Sequence, residues 1–135
     1  MKFNYKRLSD GIQRPIIPVT VRNPHTKQLI RYFGLVDSGA DSCIFAGEIA
    51  ELIGLDIAAG RRLSVSGVVE GEQRPFYLHQ VEVEIGGWSK LTAVGFMPDL
   101  SNNGHGLLGQ AGFFDRFSFV KFEYPKGTIE VGSAI

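Results

Sequence analysis

Glycine and proline cut this chain into short runs of β-branched and aromatic residues, and that punctuation constrains the fold more than any other feature. Seventeen Gly and six Pro fall among Val, Ile, Phe and Tyr, a pattern of brief strands and tight turns with little helix. Residues 77–85 and 88–96, joined at Gly86-Gly87, form the clearest hairpin. Residues 117–122 and 128–131 alternate as strands around Pro125-Lys126-Gly127. One short helical pattern stands out, over residues 46–55, with Ile49, Leu52 and Ile53 on one face. No internal repeat or low-complexity linker divides the 135 residues, so one domain spanning 1–135 is expected, large enough to bury roughly two thirds of its unfolded surface. Residues 1–12, polar and unpatterned, read as an N-terminal arm.

Within this frame one acid is conspicuous. Asp37-Ser38-Gly39-Ala40 follows the apolar run Tyr32-Phe33-Gly34-Leu35-Val36 and precedes a second acid, Asp41. An ionised carboxylate at the end of a buried strand costs several kcal/mol unless it is paired, hydrogen-bonded or perturbed for chemistry. Asp, Ser and Gly are also what an ordinary surface turn uses, so the triplet alone does not separate the two cases. Seventy positions beyond Asp37, however, Gly106-Leu107-Leu108-Gly109 leads into Phe113-Phe114-Asp115-Arg116-Phe117. This ordered, multi-part pattern resembles the retropepsin-like aspartic proteases, and within them the cellular and bacterial members. The resemblance covers residues 14–131.

The resemblance implies a mainly β, single-lobed, retropepsin-like closed β-barrel, the acid protease fold, with one or two short helices. Its first strand pair would be residues 15–21 and 27–36 around the turn Asn23-Pro24-His25-Thr26. Asp37 takes the place of the catalytic carboxylate. Ser38 stands where a hydroxyl hydrogen-bonds across the dimer axis, Gly39 and Ala40 where substrate backbone lies against the turn, and Asp41 where the bound peptide's backbone is met. The segment around Gly67, Val68 and Val69 takes the place of a flap tip over substrate, although a glycine hairpin with no ligand reads equally well from those residues alone. Leu107 belongs to the substrate cleft and Gly109 to the support beneath the Asp turn. Arg14, followed by Pro15, occupies the position of an arginine that ties the second acid to a partner subunit. The chain departs from the retroviral pattern at Gln110, where an arginine would stand. Residues 97–105 fill the place of the loop that walls the side-chain pockets.

Chain length then bears on mechanism. Aspartic peptide hydrolysis uses two carboxylates, one accepting a proton from water while the other, protonated, donates to the scissile carbonyl oxygen. A single Asp-Ser-Gly in 135 residues supplies only one. A homodimer would place Asp37 against Asp37 by two-fold symmetry, and a peptide or protein substrate is the implied ligand. Two other readings stand beside this one: a catalytically silent retropepsin-fold module that binds peptide or dimerises, and an unrelated small β-barrel carrying these motifs by coincidence.

The remaining composition narrows the field. Fourteen basic and fourteen acidic residues balance, and no basic run interleaves with aromatics, which argues against a nucleic-acid partner. The opening Met1-Lys2-Phe3-Asn4-Tyr5-Lys6 lacks a signal peptide's apolar stretch, and there is no run of ~20 apolar residues for a membrane span. A cytoplasmic, non-membrane protein is expected. The lone Cys43 cannot form an internal disulfide and is expected to pack in the interior. His25, His79 and His105 have no metal-ligand spacing with one another or with Cys43, so neither metal nor other cofactor is expected. His105, in the 97–105 loop, is expected to be simply exposed.

Overall fold

A computed structural model describes residues 1–66 and 73–135. Among the described residues there are twelve strands: β1 Lys2–Asn4, β2 Lys6–Arg7, β3 Gln13–Arg14, β4 Ile16–Arg22, β5 Leu29–Val36, β6 Ile44–Ala46, β7 Arg61–Ser66, β8 Gln73–Ile85, β9 Trp88–Met97, β10 Gly106–Leu108, β11 Val120–Glu123 and β12 Thr128–Val131. One α-helix, α1, spans Gly47–Leu52, and single 3-10 turns occur at Ile57–Ala59, Phe114–Arg116 and Tyr124–Lys126. The mainly β expectation holds.

The main sheet runs β4-β5-β10-β6-β9-β8-β7, and β4 also pairs with β8 through Thr20↔Glu84, Val21↔Val83 and Arg22↔Glu82. The thirteen-residue β8 makes this possible. Its first half pairs with β7 and its second half with β4 along the same edge, so the sheet returns on itself. Strand alternation explains the interior: Val81, Val83 and Ile85 on β8, and Ile17, Val19 and Val21 on β4, turn inward. They meet Phe45, Phe96 and Phe113, which are almost completely shielded from solvent. Outside the point of closure, Arg22 pairs with Glu82 at 2.9 Å. A second, three-stranded sheet of order β1-β12-β11 ties residues 2–4 to the 128–131 strand, and β2 pairs with β3.

The hairpins foreseen over 77–96 and 117–131 are present as β8–β9 and β11–β12. In the latter, Gly127 takes the left-handed conformation (φ 61°) that closes a tight connection. Strand β11 starts only at Val120, and Phe117 joins Ala134 in an isolated bridge. The helix is shorter than its apolar pattern suggests. It ends at Leu52, the chain then reverses through Gly54 at φ 78°, and neither end has a side-chain cap. Its inward face is Ile49, Ala50 and Ile53; Leu52, expected on that face, is 59% exposed. Among the described residues, no helix is long and apolar enough to cross a membrane.

The β4–β5 turn depends on one buried polar side chain. Asn23 Oδ1 accepts the N–H groups of His25 (2.9 Å) and Thr26 (3.4 Å), while Nδ2 donates to Ile53 O at 3.0 Å, fastening the turn to the end of the helix. Asn23 is 3% exposed, so its truncation leaves groups unpaired where water does not readily replace them. Asn23→Ala is expected to lower the unfolding free energy by about 2–3 kcal/mol in a urea titration; a loss below about 0.5 kcal/mol would count against this tie.

Candidate active site

Strand β5 delivers Asp37, and a strand remote in sequence holds it there. Strand β10 pairs in parallel with β5, in the register Gly106↔Gly34, Leu107↔Leu35 and Leu108↔Val36, and antiparallel with β6 through Leu107↔Ile44. Glycines inside strands often mark close approach, and here the neighbours are identifiable. A Cβ at Gly34 would lie 2.6 Å from Leu108 Cγ, and one at Gly106 would lie 2.4 Å from Phe45 Cδ1. The pairing continues one residue beyond the strand, where Asp37 N–H donates to Leu108 O at 3.0 Å.

The chain then turns sharply. Ala40 N–H donates to Asp37 O at 3.2 Å, and Gly39 N–H donates to the Asp37 carboxylate at Oδ1, 2.9 Å away. From below, Gln110 N–H donates to Ala40 O (2.8 Å) and Ala111 N–H to Asp41 O (2.9 Å). Gly109 is required at this crossing: a Cβ there would sit 2.4 Å from Ser42 O and 2.6 Å from Ala40 O, both backbone atoms with little freedom to retreat. The Gln110 side chain adds a link of its own, Nε2 donating to Ser38 O at 2.7 Å. Asp37 is left half-buried, with Ser38, Gly39 and Asp41 exposed.

Asp37, Gly39, Ala40, Asp41 and Leu107 line one cleft of about 790 Å³, within the size range of ligand sites. Ser42 and Ser64 also border it, and the rest of its wall is apolar: Ile44, Leu63, Phe76, Met97 and Leu100. Residues expected from sequence to contact substrate are thus brought together from the turn and from β10. Met97 and Leu100 come from the 97–105 segment expected to wall the pockets, whereas Ile44, Leu63 and Phe76 were not singled out from sequence. Leu63 and Phe76 are cross-strand partners in the β7–β8 hairpin, and this pairing of large apolar residues was the available signal. That hairpin is the pair of segments expected to flank a glycine-rich tip; Gly67, Val68 and Val69 lie outside the described residues.

Two expected site residues sit apart from the cleft. Arg14 forms an ion pair with Asp10, Nη1 to Oδ2 at 3.3 Å. Asp10 is held below the usual carboxylate range first by the Ile12 N–H and also by Arg14. Ser38 is exposed and is not among the residues that line the cleft. His105, expected to be exposed, is half-buried beside the start of β10; burial pushes its imidazole below the ordinary range, and the nearby charges of Arg14 and Lys6 act in the same direction. The 97–105 loop is fastened by Asn102, whose Oδ1 accepts from Tyr32 O–H and from Gly104 N–H. Among the described residues, no group of three or more His, Cys, Asp or Glu side chains is placed to hold a metal ion.

This arrangement can be compared with known structures. A retropepsin-like aspartic protease from Rickettsia conorii superposes with a TM-score of 0.68 at 20% identity, covering 96% of this chain and 97% of that one. The chain has the retropepsin-like fold. An EIAV protease complexed with the inhibitor HBY-793 aligns at 18% identity and a TM-score of 0.48, over 71% of this chain and 81% of that one. No family model and no curated protein matches the sequence.

In this retropepsin-like domain Cys43 lies directly behind the Asp turn and is 1% exposed, as expected of a packing residue. Burial pushes its thiol up to about 11, with a backbone hydrogen bond from Gly109 acting in the opposite sense. The folded protein therefore keeps a proton that the unfolded chain releases near the ordinary value of 9.0. The associated stability is intact below pH 9 and is lost as the pH rises through 11. Comparing the native protein with Cys43→Ala by urea titration across this window should show a pH-dependent difference on the order of 2 kcal/mol. Parallel pH profiles for the two proteins would contradict the assignment; Tyr5 and Tyr32, whose hydroxyls burial also pushes up, are common to both.

Proposed function

We propose that this chain is the protomer of a homodimeric aspartic endopeptidase in which Asp37 from each of two copies activates one water molecule. The observation that carries the reading is the placement of Asp37, at the end of β5, locked over Leu108 and Gly109, opening on an apolar-walled cleft. One carboxylate takes the proton of the attacking water. The other, protonated, donates to the scissile carbonyl oxygen. A single chain supplies only one Asp-Ser-Gly turn, and the exposure of Ser38 and Gly39 leaves the outer face of that turn free to meet its symmetry mate.

Extended peptide is received between the turn and the β7–β8 hairpin, as an added strand whose alternate side chains enter the apolar wall. Gly39 and Ala40 admit its backbone, Asp41 meets that backbone, and Gly67, Val68 and Val69 close over it. Ser38 and Arg14 support the dimer, Arg14 by exchanging its Asp10 contact for one across the interface. Cytoplasmic placement, where the lone thiol stays reduced, belongs to the same reading.

The direct test is Asp37→Asn. Cleavage of a diverse peptide library is expected to fall by about 10³-fold or more while the circular dichroism spectrum and melting temperature are preserved. Cleavage retained by purified variant protein would place the chemistry elsewhere. Specific activity is also expected to fall on dilution through the dimer dissociation constant; constant specific activity from a demonstrated monomer would refute the shared site.

Two facing carboxylates titrate as a unit and hold one proton over an intermediate range. Activity is therefore expected to be bell-shaped, falling at high pH as the shared proton leaves and at low pH as both acids are protonated. A profile flat from about pH 4 to about pH 9, on a constant dimer population, would exclude the shared-proton mechanism.

A further inference from the structure

Gln110 stands where the retroviral pattern has an arginine, and its carboxamide reaches the Asp turn directly. Four hydrogen bonds fasten residues 37–41 to the 108–111 segment. Three are backbone to backbone and open to most residue types. The fourth, Gln110 Nε2–H to Ser38 O at 2.7 Å, depends on this side chain.

Its acceptor is significant. Ser38 O belongs to the same peptide unit as Gly39 N–H, and that N–H donates to Asp37 Oδ1 at 2.9 Å. A peptide unit is planar and rotates as a whole, so a donor gripping its oxygen also aims its N–H. Hydrogen bonds in series through one amide polarise each other in the same direction. The chain of contacts runs from the Gln110 carboxamide, through the 38–39 peptide, to the Asp37 carboxylate. Every link lies within one subunit, and the Gln110 donor is neutral.

We propose that Gln110 is a positioning residue for Asp37, orienting the carboxylate through the 38–39 peptide unit before any second copy arrives. This inference rests on the endopeptidase reading for its catalytic consequence, but its structural content can be measured in an inactive protein. An arginine would bring a charge and a demand for anionic partners. Glutamine sets the turn without altering the charge around the paired acids.

The test uses Gln110→Leu, which keeps bulk and removes the donor, together with Gln110→Glu. For the leucine variant, kcat measured on fully dimeric enzyme is expected to fall about threefold to tenfold with KM within about twofold of the native value. Hydrogen exchange at the Gly39 amide should accelerate by a similar factor while that of Val36, bonded to Pro15 O, is unchanged. The glutamate variant adds a readout that a merely structural role does not move. Ionised, its carboxylate faces a carbonyl oxygen; protonated, at pH values below about 4.3, it again donates to Ser38 O. The ratio of its kcat to the native kcat should therefore recover toward one as the pH falls, whereas the ratio for the leucine variant stays flat.

Native kcat in Gln110→Leu, a pH-independent ratio for Gln110→Glu, or unaltered Gly39 exchange in Gln110→Leu would each overturn the proposal. If the native protein and Asp37→Asn are equally inactive, it is the endopeptidase reading that fails, and Gly39 exchange alone then decides whether Gln110 positions the turn.

Discussion

The parallel pairing of β5 with β10 is the contact on which the rest of the site depends. Across it, Leu108 O receives the Asp37 N–H, and Gly34 of β5 leaves room for the Leu108 side chain of β10, while on the other side of β10 Gly106 leaves room for Phe45 of β6. Parallel neighbours cannot be joined by a tight turn. The sixty-nine residues between Asp37 and Leu107 therefore build the helix, the β7–β8 hairpin and the β8–β9 hairpin, and the strands among them supply other walls of the cleft. The path that satisfies the topology also constructs the cleft.

The turn combines a rigid base with an exposed tip. Beneath it are Gly109, whose Cβ position is occupied by carbonyl oxygens, and the fully buried Cys43, Phe45 and Leu108. Above it are Ser38 and Gly39, open to solvent. Burial below removes conformational alternatives, and exposure above leaves the half-buried Asp37 carboxylate open to the cleft. The neutral Gln110 carboxamide contributes to that base from its rim.

Much of the fold was legible because its signals are local. Gly86-Gly87 announced the β8–β9 hairpin, and the alternation around Pro125-Lys126-Gly127 announced β11–β12. The adjacency of Asp37 to Leu107-Leu108-Gly109 is long-range, and only the resemblance to a known family suggested it; periodicity carries no record of which strand lies beside which. Side-chain environments were least legible. Leu52 fits the helical apolar pattern yet faces solvent, because the helix ends there and Ala50 takes the inward position. The apolar cleft wall assembles from strands and a loop distant in sequence, and the Gln110–Ser38 contact spans seventy-two residues. Neither leaves a periodic trace, whereas Asp37, Gly39, Ala40 and Asp41 are contiguous and could be named together.

The central claim is that two copies of Asp37 form one site, and the most direct measurement is the separation of their carboxyl oxygens in a crystal structure of the assembled protein. The account predicts two Asp37 side chains meeting at a two-fold axis, with oxygens about 2.5–3.2 Å apart and a water molecule between them. Asp37 side chains in separate, solvent-filled clefts of an otherwise intact dimer would contradict it.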